Sequence, residues 1–96
     1  MLDKIKLALR RTHSTLDTDI QANIEACMHD LQRVGISQEK ANEASVDPLI
    51  NKAAEVYCKW QYDFNGKGEL YRVAYESLRD ALSLSSDYAG ASESDV

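Results

Sequence analysis

The stretch Asp17-Thr18-Asp19-Ile20-Gln21-Ala22-Asn23-Ile24-Glu25-Ala26-Cys27-Met28-His29-Asp30-Leu31-Gln32-Arg33-Val34-Gly35-Ile36 decides the fold class. Ile20, Ile24, Cys27, Met28, Leu31 and Val34 recur with the 3.6-residue period of a helix, so one face is apolar and the rest polar. Asp17, Thr18 and Asp19 supply cap oxygens and negative charge at the start, where unpaired N–H groups and the helix dipole favour both. Gly35 takes a left-handed conformation at little steric cost, and Ile36 follows where a Schellman-type hydrophobic contact forms, so the helix stops there.

Outward from this helix the same period recurs. Before it, Leu2, Ile5 and Leu9 fall at i, i+3 and i+7 among Lys4, Lys6, Arg10 and Arg11, which predicts a short amphipathic helix broken by Thr12-His13-Ser14-Thr15. After it, residues 37–46 are polar with no sustained apolar stripe and read as a linker with room for one helical turn. Asp47-Pro48 is a sharp start, an N-cap side chain followed by the residue whose fixed φ and missing N–H suit the first helical position. Leu49, Ile50, Ala53, Ala54, Tyr57, Trp60 and Phe64 then keep helical spacing until the turn Asn65-Gly66-Lys67-Gly68. A last helix from about Glu69 to Leu84 carries Leu70, Val73, Ala74, Leu78, Ala81 and Leu82.

No segment alternates with period two over six or more residues, so strands have no support. The expected fold is all-α: a compact domain of about four helices over residues 1–84, with a short N-terminal helix and an extended acidic tail over 85–96. Its expected core is Ile20, Ile24, Met28, Leu31, Ile50, Ala53, Tyr57, Trp60, Val73 and Leu78, with Trp60 enclosed.

Ninety-six residues, 28% of them charged, describe one small domain without room for a large enzyme cleft. A net charge of −5 argues against a protein that coats duplex DNA, since such affinity comes mostly from neutralised phosphates. No apolar run approaches the roughly 18 to 20 residues of a membrane span, and Met1-Leu2-Asp3-Lys4-Ile5-Lys6 lacks the apolar core of a signal peptide, so the chain is expected to stay where it is made or where a partner carries it. Charge runs from basic to acidic: residues 1–16 sum to +3, 17–47 to −5, 48–84 to 0 and 85–96 to −3.

Chemistry-bearing residues are sparse. His13 and His29 lack the companions that place metal ligands together, and Cys27 and His29, two apart on a helix, diverge too far to chelate one ion. Cys27 and Cys58 read as buried thiols, Cys58 beside the apolar stripe between Tyr57 and Trp60. The glycines of Asn65-Gly66-Lys67-Gly68 lack phosphate-loop spacing and make a turn. No catalytic residue, cofactor or metal is expected. Tyr57, Trp60 and Phe64 share a stripe suited to the core, while Tyr62 points elsewhere by helical phase and is a subunit-interface candidate. Lys4, Lys6, Arg10 and Arg11 form either a solvated face or a contact with an acidic neighbour or with nucleic acid. The tail has too little apolar surface to order itself, and Tyr88 is its natural anchor on a neighbour or partner.

The order Asp19-Ile20-x-x-x-Ile24-x-Ala26-x-x-x-Asp30-Leu31-x-x-x-Gly35-Ile36, then Asp47-Pro48, then Leu49-Ile50-x-x-Ala53-x-x-x-Tyr57-x-Lys59-Trp60, then Tyr71-x-x-Ala74-Tyr75-x-x-Leu78-Arg79-x-x-Leu82, resembles the head-tail connector proteins of tailed bacteriophages, also called adaptor or DNA-packaging proteins. The resemblance covers residues 2 to about 84 and brings no catalytic residues. It implies a virion protein made in the host cytoplasm, a homo-oligomeric ring, generally of twelve subunits, that docks on the portal protein after packaging. Such a ring extends the DNA channel without sequence-specific binding and receives a neck, stopper or tail-completion protein. Two other readings compete with it: a helical interaction subunit of another complex, and a helix-turn-helix DNA-binding regulator. The regulator is opposed by an acidic second helix and a charge-balanced third.

Overall fold

A computed structural model describes residues 1–9 and 17–88. Four helices follow one another: α1 (Leu2–Leu9), α2 (Asp17–Arg33), α3 (Pro48–Gln61) and α4 (Gly68–Leu84), and the described residues contain no strand. The all-α expectation holds.

The helix boundaries follow local chemistry. At the end of α2, Gly35 has φ +103°. Its N–H donates to the Gln32 carbonyl at 3.0 Å, and the Ile36 N–H donates to the Leu31 carbonyl at 3.0 Å, the paired bonds of a Schellman motif. Ile36 and Leu31 are both buried, which supplies the apolar contact that accompanies it. At the start of α3, Asp47 Oδ1 accepts the N–H groups of Leu49 at 2.8 Å and Ile50 at 3.3 Å, with Pro48 next in the chain. The turn from α3 to α4 contains one turn of 3₁₀ helix, Phe64–Gly66, and three residues with positive φ: Asp63, Asn65 and Gly66. Asp63 Oδ1 accepts the Gly68 N–H at 2.7 Å and so fixes where α4 begins.

α3 is central: α1, α2 and α4 all pack on it, and α1 also packs on α2. Ile20, Ile24, Leu31, Ile50, Ala53 and both cysteines are fully enclosed, with Met28 almost so. Residues 37–46 are tightly held turns: Ala41 is buried, the Gln32 side chain donates to its carbonyl at 2.8 Å, and the Asn42 amide donates to the Gln38 and Glu39 carbonyls.

The expected core needs correction on the aromatic stripe and on α4. Tyr57, Trp60 and Leu78 are half-buried, so Trp60 is not enclosed. Val73 is 49% exposed, and Leu70, Ala74 and Ala81 face outward as well. With about 100° of turn per residue, the expected stripe straddled two faces. The face turned to α3 is Tyr71, Tyr75, Leu78 and Leu82, which brings the larger rings inward and gives the Tyr75 hydroxyl a half-buried carboxylate partner.

Candidate functional site

The interior is tied together by one carboxylate. Tyr75 is 1% exposed, and its hydroxyl donates to Asp30 Oδ2 at 2.7 Å. Arg79 Nη1 donates to the same oxygen at 3.2 Å, and Arg33 Nη2 to Oδ1 at 2.6 Å. Burial works against ionising Asp30, but the bonds from Tyr75, Arg33 and Arg79 outweigh it and hold the carboxyl below its ordinary range. The Tyr75 ring stacks edge-on with Tyr57 at 5.1 Å between centroids, and Tyr57 with Trp60 at 5.5 Å. This clasp joins α2 to α4 around α3. Sequence reading missed it, because the chain separation of 45 residues leaves no periodic signal that Asp30 and Tyr75 meet.

Burial pushes both the Cys27 and Cys58 thiols up to about 12, so neither is a thiolate at neutral pH. Among the described residues, no group of three His, Cys, Asp or Glu side chains could hold a metal ion. His29 stands exposed beside a shallow groove of about 330 Å³ lined by Ala26, Asp30, Arg33, Tyr57 and Trp60. No described helix is long and apolar enough to cross a membrane.

The predicted interface residues fall at separate places. Lys4 is exposed on α1, lining a hollow with Pro48, Asn51 and Lys52 at the start of α3. Lys6 is half-buried, its ammonium 3.0 Å from Asp17 Oδ1, so one of the four cations is already paired inside the chain. Arg10 and Arg11 lie outside the described residues. Tyr62 is half-buried at the C-terminal end of α3, its N–H on the Cys58 carbonyl at 3.0 Å.

Tyr88 sits at the opposite end of α3. Its hydroxyl donates to Asp47 Oδ2 at 2.7 Å, its carbonyl accepts the Ser37 N–H at 2.7 Å, and the Lys40 ammonium lies 5.5 Å from its ring centroid. One carboxylate thus caps α3 and anchors the segment that follows α4. Burial opposes its charge, but the bonds from Tyr88, Leu49 and Ile50 keep its ionisation below the usual carboxylate range.

α4 has a third character besides its buried and charged faces. Glu69, Arg72, Glu76, Arg79 and Asp80 form a ridge, with Arg72 bonded to Glu69 and to Glu76, and Arg79 to Asp80. On the remaining side Leu70, Val73, Ala74, Ser77, Ala81 and Leu84 are exposed, a second apolar stripe on which no helix of the described residues packs.

Compared with known proteins, the chain matches the family model described as phage connector protein over residues 1–89. No curated protein and no solved structure matches it.

Proposed function

The chain belongs to the phage connector protein family, and we propose that it acts there as a ring below the portal, extending the DNA channel and joining the head to a neck, stopper or tail-completion protein. The family is structural, and its members work through contacts with other head-tail proteins. The match over residues 1–89, nearly the full length, carries the proposal.

Physical properties support it. A ring needs two different faces per subunit, each complementary to the other. The basic N-terminal segment and the acidic remainder supply that polarity, with Lys4, Lys6, Arg10 and Arg11 as candidates for contact with a neighbouring subunit and Tyr62 for contact with a subunit or the portal, whereas the Tyr88 side chain is turned onto Asp47 of its own chain. Twelve copies carrying −5 each amount to roughly −60, an excess that lets DNA slide through a channel rather than stick. The protein is then made in the host cytoplasm and ends in the virion at the head-tail interface.

Native mass spectrometry and negative-stain imaging of the purified full chain test the reading. Closed rings, and co-sedimentation of the chain with portal-bearing heads, are expected. A chain that stays monomeric at every concentration and does not sediment with heads would overturn it.

A further inference from the structure

We infer that residues 85–88 form a strap closed by one latch, Tyr88, and that this strap opens as a unit while α3 stays capped and the Asp30 clasp stays shut. Among the described residues, every hydrogen bond from the strap to the body beyond α4 is made by Tyr88. Its hydroxyl donates to Asp47 Oδ2 and its carbonyl accepts the Ser37 N–H, both at 2.7 Å. The Lys40 ammonium over the ring is a third contact. The other bonds of the strap are local: the Ser85 N–H to the Leu82 carbonyl, the Tyr88 N–H to the Ser85 carbonyl, and the Asp87 N–H to Ser85 Oγ. Ser86 and Asp87 are exposed, and Tyr88 is the one buried side chain of the four.

The latch is separable from the fold because Asp47 divides its two oxygens. Oδ1 takes the N–H groups of Leu49 and Ile50, whereas Oδ2 takes Tyr88, so release of Tyr88 leaves the cap in place. Ser37 and Asp47 are themselves only half-buried, so water replaces both lost bonds and no buried polar group is orphaned. Opening forfeits the burial of one ring, far less than global unfolding, which puts the strap at the low end of local stability.

Opening acts in two places. Ser37 and Lys40 each lose a contact, so the start of the linker 37–46 loosens. The strap then presents the one aromatic ring of residues 85–96, on a segment that carries Asp87, Glu93 and Asp95. A protein that grips this segment by its ring binds only the open form, and its affinity is scaled by the open fraction. By reciprocity such a grip loosens the linker, and whatever stiffens the linker weakens the grip.

Native-state hydrogen exchange, read residue by residue by NMR on the full chain and on Tyr88→Phe and Asp47→Asn, tests this. Tyr88→Phe keeps the ring and drops the hydroxyl bond, while Asp47→Asn keeps an oxygen for the cap, so both should fold. In each, exchange at the Ser37 amide should quicken about tenfold. Ala41, whose N–H bonds to the Ser37 carbonyl, should follow in the same direction. The amides of Leu49, Ile50 and Tyr75 should change by less than about twofold. Unchanged exchange at Ser37 in both variants would overturn the latch, and an unmoved Ala41 would overturn its coupling to the linker. Acceleration of Leu49 and Ile50 as large as that of Ser37 would show that latch and cap open together, and acceleration reaching Tyr75 would show that Tyr88 supports the whole fold; either result overturns the strap as a separate unit.

Discussion

α2 and α4 are both 17-residue helices on the same central α3, yet they treat their apolar surface differently. α2 turns Ile20, Ile24, Cys27, Met28 and Leu31 inward and leaves no large aliphatic exposed. α4 buries Tyr75 and Leu82 and leaves Leu70, Val73 and Leu84 in solvent. An aliphatic side chain gains more from leaving water than a tyrosine does per unit area, so the choice is not made by hydrophobicity alone. Tyr75 wins the inner position because its ring meets Tyr57 and its hydroxyl meets Asp30. The fold buries every large aliphatic side chain of α2, whereas on α4 it leaves three of them in solvent.

The largest effect should come from Tyr75. Tyr75→Ala should cost about 3 to 5 kcal/mol in urea unfolding, since a buried ring and the best partner of Asp30 vanish together. Tyr75→Phe, which keeps the ring, should cost only about 1 to 2 kcal/mol. If Tyr75→Ala cost no more than an exposed substitution, the distinction between the two faces of α4 would collapse.

Gly68→Ala comes next. A Cβ there would lie 2.6 Å from Asp63 Oδ1, 3.2 Å from Asp63 Cα and 3.3 Å from the Trp60 carbonyl. Either the capping carboxylate or the turn backbone must give way, at about 1 to 3 kcal/mol. A thermal melt should fall accordingly, whereas Gly66→Ala would report only on its φ of +71°, with open space around the new methyl.

Asp30→Asn should cost about 1 to 2 kcal/mol at neutral pH, because charge-assisted bonds to Arg79 and Arg33 become neutral ones. Its pH signature is more specific. A carboxyl held below its ordinary value of 3.8 in the folded state contributes stability that is fully present above 3.8 and is lost as pH falls through the lower, folded value. The wild type should therefore lose stability in that acid range, and Asp30→Asn should lose less of it. Asp47 and Glu69 shift in the same direction and contribute to the residual slope. Identical acid melts for the two proteins would show that Asp30 contributes nothing through its charge.

The smallest effect should come from the exposed stripe. Leu70→Ser and Val73→Ser should each change unfolding free energy by less than about 0.5 kcal/mol in dilute monomer. A loss of 2 kcal/mol or more would mean that this face is covered within the single chain and would end the contrast with α2.

Several decisive features were legible in the residues alone. The period of Ile20 to Val34, the Gly35-Ile36 stop, the Asp47-Pro48 start and the glycine-bearing turn before α4 all act through bonds between residues no more than five apart, so they set helix positions wherever the helices later pack. The order of elements also sufficed to point to the connector family. Tertiary structure alone decided which stripe of α4 faces α3, that Asp30 is the shared acceptor of Tyr75, Arg33 and Arg79, and that Tyr88 returns across 41 residues to the carboxylate that caps α3. The reason is range. A helix with two apolar stripes satisfies its own backbone in either orientation, and only partners brought from elsewhere in the chain, a ring to stack on and a half-buried carboxylate to accept a hydroxyl, give one orientation the lower free energy.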